Sequence, residues 1–79
     1  MENFFKDRLR EVRNDKDVTQ EQLGKAIDIH PVTIAFWESG ARQPSMYSII
    51  KVACFFKVST DYLLGLENYD GTKTYDKID

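Results

Sequence analysis

Histidine and cysteine each occur once in the chain, as His30 and Cys54, and this bounds the chemistry available. A single thiol cannot close a disulfide within the chain. One imidazole and one thiol fall short of the ligand set a zinc site needs. No nucleophile stands in a pattern with a base, and no phosphate loop or metal-ligand spacing occurs. The expectation is no metal, no cofactor and no enzymatic activity. Cys54, flanked by apolar residues in "KVACFFK", is expected to behave as a small buried hydrophobe. Recognition chemistry remains, and it gathers in "HPVTIAFWESGARQP", residues 30–44. His30, Thr33, Arg42 and Gln43 offer hydrogen-bonding groups there. Pro31, Val32, Ala35 and Phe36 stand among them as apolar positions.

The elements that must hold this segment are legible from periodicity. Phe5, Leu9 and Val12 recur at i, i+4 and i+7 in "NFFKDRLREVRND", one stripe of an amphipathic helix. Lys6, Arg8, Arg10 and Arg13 fall on its other faces, and Arg8 and Arg10 are expected to be solvated. Asp17 stands where a left-handed residue would close the helix. "TQEQLGKAI" opens with Thr19 and Gln22 in capping-box spacing, with Leu23, Ala26 and Ile27 as the inward stripe. Gly24 within this helix is expected to permit a close helix crossing. His30 stands at the next N-cap and Pro31 at the first helical position, where a missing N–H costs nothing. Ile34 and Trp37 point inward, and Gly40 ends the helix. Ser45 caps a fourth helix with Ile49, Val52, Ala53 and Phe56 buried. Ser59 caps a short fifth helix that stops at Gly65. The prediction is an all-α, compact five-helix bundle spanning residues 1–66. Residues 67–79 are expected to form an acidic, flexible tail.

Charge follows the same division. The chain has 79 residues and a net charge of −2, but residues 1–60 hold nine Lys/Arg against eight Asp/Glu. Residues 61–79 hold two Lys against five Asp/Glu. The acidity lies at the end, and the body is free to carry a local basic face. No apolar run reaches the length of a membrane span and no signal peptide pattern opens the chain, so a cytoplasmic protein without membrane contact is expected.

Two helices joined by a short turn, with Gly24 small in the first and Leu23, Ile27, Ile29, Ile34 and Trp37 apolar, form a helix-turn-helix pattern at helices 2 and 3. Asp28 holds the turn position usually occupied by glycine and tolerates a left-handed backbone better than most residues. With "RLREVR", "VTQEQLGKAI", "TIAFWESGARQPS" and "VSTDYLLG" in this order and spacing, the sequence resembles the phage-repressor/Cro-type helix-turn-helix domains over about residues 4–65. The resemblance implies a transcriptional regulator, most often a repressor. Such a protein binds double-stranded DNA as a homodimer and places the helix at 30–38 in the major groove. It implies a phosphate contact for Gln20, groove-facing positions for His30, Pro31, Val32, Thr33 and Phe36, and backbone contacts for Arg42 and Gln43. It also implies an internal ion pair between Arg13 and Glu38.

One departure qualifies the inheritance. The family often carries Ser, Gln, Arg or Lys where this chain has Pro31, Val32, Ala35 and Phe36. Bidentate readers of guanine or adenine are missing from the helix. Hydrogen-bond readout then falls to His30, Thr33 and the loop, while Val32 and Phe36 can contact thymine methyl groups. The alternative is a protein-interaction module on the same fold that has lost base-specific binding and meets a partner protein through the Phe36 face. Ile50, Phe55, Tyr62 and Leu66 are the candidate surface apolar groups for dimerisation.

Overall fold

A computed structural model of the chain describes residues 3–73 and contains five helices among them. These are α1 (Phe4–Asp15), α2 (Gln20–Ile27), α3 (Pro31–Ser39), α4 (Met46–Phe56) and α5 (Thr60–Leu63). The all-α expectation holds. So do the stop signals: Asp17 and Asp28 adopt left-handed backbone, as do Gly40 and Gly65, and α4 ends on a left-handed Lys57 that the sequence did not mark. The capping box of α2 is complete, with Gln22 N–H donating to the Thr19 hydroxyl at 3.0 Å and Thr19 N–H to the Gln22 amide oxygen at 2.9 Å. Ser45 and Ser59 cap α4 and α5 through their hydroxyls.

The core is built from the predicted stripes. Phe5, Leu9 and Val12 of α1 meet Leu23 and Ile27 of α2, Ile34 and Trp37 of α3, and Val52, Ala53 and Phe56 of α4. Burying one such side chain contributes roughly 1.5–3 kcal/mol, which is what a domain of this size has in place of a disulfide. The Phe5 and Trp37 rings meet edge to face at 6.1 Å and tie α1 to α3.

Several expected placements are corrected. Ala26 and Cys54 are exposed, and Ile49 is only half-buried. Ala26 and Cys54 both border a surface groove between α2 and α4, beside Tyr47, Ile50 and Phe55. The groove leaves both side chains open to solvent, so periodicity alone misjudged how far the core extends. Gly24 permits the close approach of α3, whose Pro31 N and Ile34 Cδ1 would each lie 3.4 Å from a Cβ added there, and it also serves the turn. The same Cβ would come within 2.4 Å of the Ile29 carbonyl oxygen, so the glycine admits the turn that joins α2 to α3.

Tyr62 is buried at 8% exposure and is not a surface group. Arg8 explains this. Its guanidinium lies 4.8 Å from the ring centroids of both Tyr62 and Tyr69, and is not on a purely solvated face. Burial pushes the Tyr62 phenol above its ordinary pKa, against the opposing pull of Arg8. Residues 67–73 form a turn closed by a bridge between Glu67 and Lys73. Tyr69 hydrogen-bonds Glu11, and Lys73 pairs with Glu67 and Asp61, so this part of the expected tail lies against α1 and α5. The Lys73 ammonium holds the Glu67 carboxyl below its usual range. The remainder of the expected tail, 74–79, lies outside the described residues. No helix among the described residues is long and apolar enough to cross a membrane.

Candidate nucleic-acid interface

Helix α3 starts on an imidazole. The Val32 N–H donates to His30 Nδ1 at 3.1 Å, so His30 is the N-cap the sequence assigned. A ring that accepts at Nδ1 carries its proton on Nε2, which leaves a donor on an exposed side chain at the start of α3. Pro31 follows at the first helical position, as expected.

The inward side of α3 is fully engaged. Ile34 and Trp37 are buried, and Glu38 is buried with them at 6% exposure. A buried carboxylate is costly unless it is paired and hydrogen-bonded. Glu38 is both. Arg13 Nε donates to Glu38 Oε2 at 2.7 Å and Arg13 Nη2 to Oε1 at 2.9 Å, a bidentate fork. The third arm of the guanidinium donates to the Val18 carbonyl at 2.9 Å. The Glu38 hydrogen bond holds the Arg13 pKa above its already high ordinary value, so the guanidinium stays charged. The pair implied by the resemblance therefore forms, between α1 and α3.

Gln20 joins this network. Its side-chain amide donates to Glu38 Oε1 at 3.3 Å. One amide hydrogen remains for an outside acceptor, and the first N–H groups of α2 have no intrahelical partner. Gln20 is thus held by the ion pair at the N-terminal end of α2, where an anion would be favoured.

The outward side of α3 is different. Val32 is 51% exposed and Phe36 37% exposed, with Pro31, Thr33 and Ala35 half-buried beside them. Arg42 and Gln43 are exposed in the loop that follows. The loop is tied back to the end of α3, where Gly40 N–H donates to the Trp37 carbonyl at 3.2 Å. The Phe36 carbonyl accepts from the Ser39 hydroxyl at 3.1 Å and from the Arg42 N–H at 3.3 Å. The Arg42 guanidinium then lies 5.0 Å from the centroid of the Phe36 ring. Gln43, exposed beside Arg42, also borders a groove lined by Phe4, Pro44, Ile49, Leu64 and Leu66.

Sequence reasoning treated Phe36 and Arg42 as separate. Their stacking depends on how the chain reverses at Gly40, which no periodicity encodes. Lys6 was also missed. A Cβ added at Gly40 would lie 3.4 Å from Lys6 Cδ, so α1 brings a basic side chain to the same loop. Only the position of Lys6 off the apolar stripe of α1 could have hinted at it.

With two helices locked across a tight turn and one of them presenting an open face, the class is a helix-turn-helix domain. The chain belongs to the phage-repressor/Cro-type helix-turn-helix family, whose pattern, described as "Helix-turn-helix", matches residues 9–63. It is similar to the HTH-type transcriptional activator BcrR of Enterococcus faecalis, 38% identical over 63 residues, which are 80% of this chain and 31% of that protein. Its fold matches the P22 c2 repressor in complex with synthetic operator 9T at a TM-score of 0.74 and 27% identity, covering 80% of this chain and 96% of that one. It matches the restriction-modification controller protein C.AhdI of Aeromonas hydrophila at a TM-score of 0.72 and 30% identity, covering 77% and 92%. The chain spans about a third to a half of the length of the first curated relatives it matches.

Proposed function

We propose that this chain is a sequence-specific double-stranded DNA-binding transcriptional regulator that inserts α3 into the major groove and represses by covering a promoter. The observation that carries this reading is the contrast on α3. Its inner side is saturated with packing and hydrogen bonds, while Val32 and Phe36 stay open. The likeness to a repressor crystallised on its operator, and to a relative named as a transcriptional activator, supports DNA as the partner.

In this reading Gln20 donates to a phosphate while Glu38 fixes its orientation. His30 offers its Nε2 donor, and Thr33 its hydroxyl, to base or backbone acceptors. Pro31, Val32 and Phe36 make the apolar floor that meets thymine methyl groups. Arg42 and Gln43 hold the backbone beyond the helix. Sequence preference then rests on methyl contacts and duplex shape more than on bidentate hydrogen bonds.

The functional form is a homodimer, with two copies of α3 about 34 Å apart on the duplex. Ile50, Phe55, Leu64 and Leu66 are exposed apolar groups on and after α4, and supply the self-contacts.

Selection of duplexes from a random pool by the purified protein tests the reading. The expected product is a palindromic site with thymines at fixed positions. Replacing a contacted thymine by uracil should weaken binding. Sedimentation on the selected site should show two copies per duplex. No enrichment over the starting pool would reject DNA recognition and turn attention to a protein partner for the Phe36 face.

A further inference from the structure

The phenyl ring of Phe36 and the guanidinium of Arg42 form one unit in the structure. Arg42 is joined to Phe36 twice, by its backbone N–H on the Phe36 carbonyl and by its guanidinium over the ring at 5.0 Å. The Ser39 hydroxyl also donates to that carbonyl and accepts the Ala41 N–H at 3.3 Å, which shapes the loop between them. Among the described residues Arg42 has no carboxylate partner within salt-bridge distance. A long exposed arginine with no such partner would otherwise lose much rotamer freedom on engaging an anion. A flat ring beneath a flat cation removes part of that loss beforehand, and leaves the N–H edge of the guanidinium free to donate.

We propose that Phe36 is a positioning residue for Arg42, so that contact with the bases and contact with the DNA backbone are coupled through one aromatic ring. This rests on the DNA-binding reading above. The ring faces two tasks at once. One part of it is covered by the guanidinium and the rest is open to a thymine methyl. Losing the ring therefore removes an apolar base contact and also loosens a phosphate contact made by a different residue.

Leucine at position 36 keeps an apolar contact and removes the aromatic face. Tyrosine keeps the face. In the free protein, the Arg42 δ-CH2 proton resonances should be shifted upfield by the ring current. The shift should vanish in Phe36→Leu and persist in Phe36→Tyr. Unshifted Arg42 resonances in the wild type overturn the proposal with no DNA present.

The second arm uses a duplex selected by the wild-type protein and a salt series. Arg42→Ala should reduce the slope of log affinity against log salt by about one. Phe36→Leu should reduce it by nearly the same amount, Phe36→Tyr should keep it, and adding Arg42→Ala to Phe36→Leu should reduce it no further. A slope unchanged in Phe36→Leu, with the wild type binding normally, overturns this inference and leaves the DNA reading standing. A wild-type protein that binds no selected duplex overturns the DNA reading, and the inference with it. Thermal melts of the variants should match the wild type, since Phe36 is partly exposed.

Discussion

Two arginines meet α3 within a few residues of each other, and the helix treats them in opposite ways. Arg13 reaches in from α1 and forks onto Glu38, with the guanidinium side chain 15% exposed. Arg42 reaches back from the loop and lies on the Phe36 ring in the open. The first uses its planar donors on a carboxylate and a backbone carbonyl inside the protein. The second uses its face on the protein and keeps its donors for something else. The same chemical group acts as a brace in one place and as a presented hand in the other. The difference is set by what opposes it, a buried carboxylate or an exposed ring.

The largest expected effect comes from breaking the brace. Glu38→Ala leaves Arg13 inside the protein without its counter-charge, and removal of one partner of a buried pair costs about 3–5 kcal/mol. Partial access of water to Arg13 puts the loss near the lower end. The melting temperature should fall by more than about 10 °C for a domain of this size. A calorimetric scan with no shift would show that the pair is not bracing α1 to α3.

Gly24→Ala tests how closely the turn before α3, the helix both arginines meet, approaches α2. Alanine gains roughly 1 kcal/mol of helix propensity. Against this, its Cβ would meet the Ile29 carbonyl at 2.4 Å, and backbone must move. Overpacking of this kind costs about 1–3 kcal/mol, so the net change is destabilising. The urea midpoint should drop, and a rise would mean that the turn does not approach α2 so closely.

Arg42→Ala should be the quietest of the three for stability. An exposed residue outside any buried network changes stability by no more than about 0.5 kcal/mol. The unfolding curves should overlay those of the wild type, while binding to a selected duplex weakens on every sequence alike. A clear loss of stability would make Arg42 a second brace and erase the contrast.

Much of this architecture is readable residue by residue. Thr19 with Gln22, His30 before Pro31, and Ser45 and Ser59 each cap the helix they precede, because capping is a local hydrogen bond between neighbours in the chain. The apolar stripes of α1 and α3 name the core because a helix turns at a fixed pitch. The stripes of α2 and α4 overreach at Ala26 and Ile49. Those positions have the right phase, but burial depends on whether another helix lies opposite.

The chain alone therefore determined the helices, the caps that start α2 to α5, the membership of Leu9, Leu23, Ile34 and Val52 in the core, and the family pattern that paired Arg13 with Glu38. Tertiary structure decided the rest. It decided that Gly24 serves a turn, that Tyr62 is covered by Arg8 and Tyr69, and that Arg42 rests on Phe36. Each of these depends on the direction in which the chain leaves a turn. A cap or a stripe is fixed by bonds and pitch within a few residues. A stack between a helix and its following loop, or between residues 8 and 69, is fixed only when every intervening element has found its place.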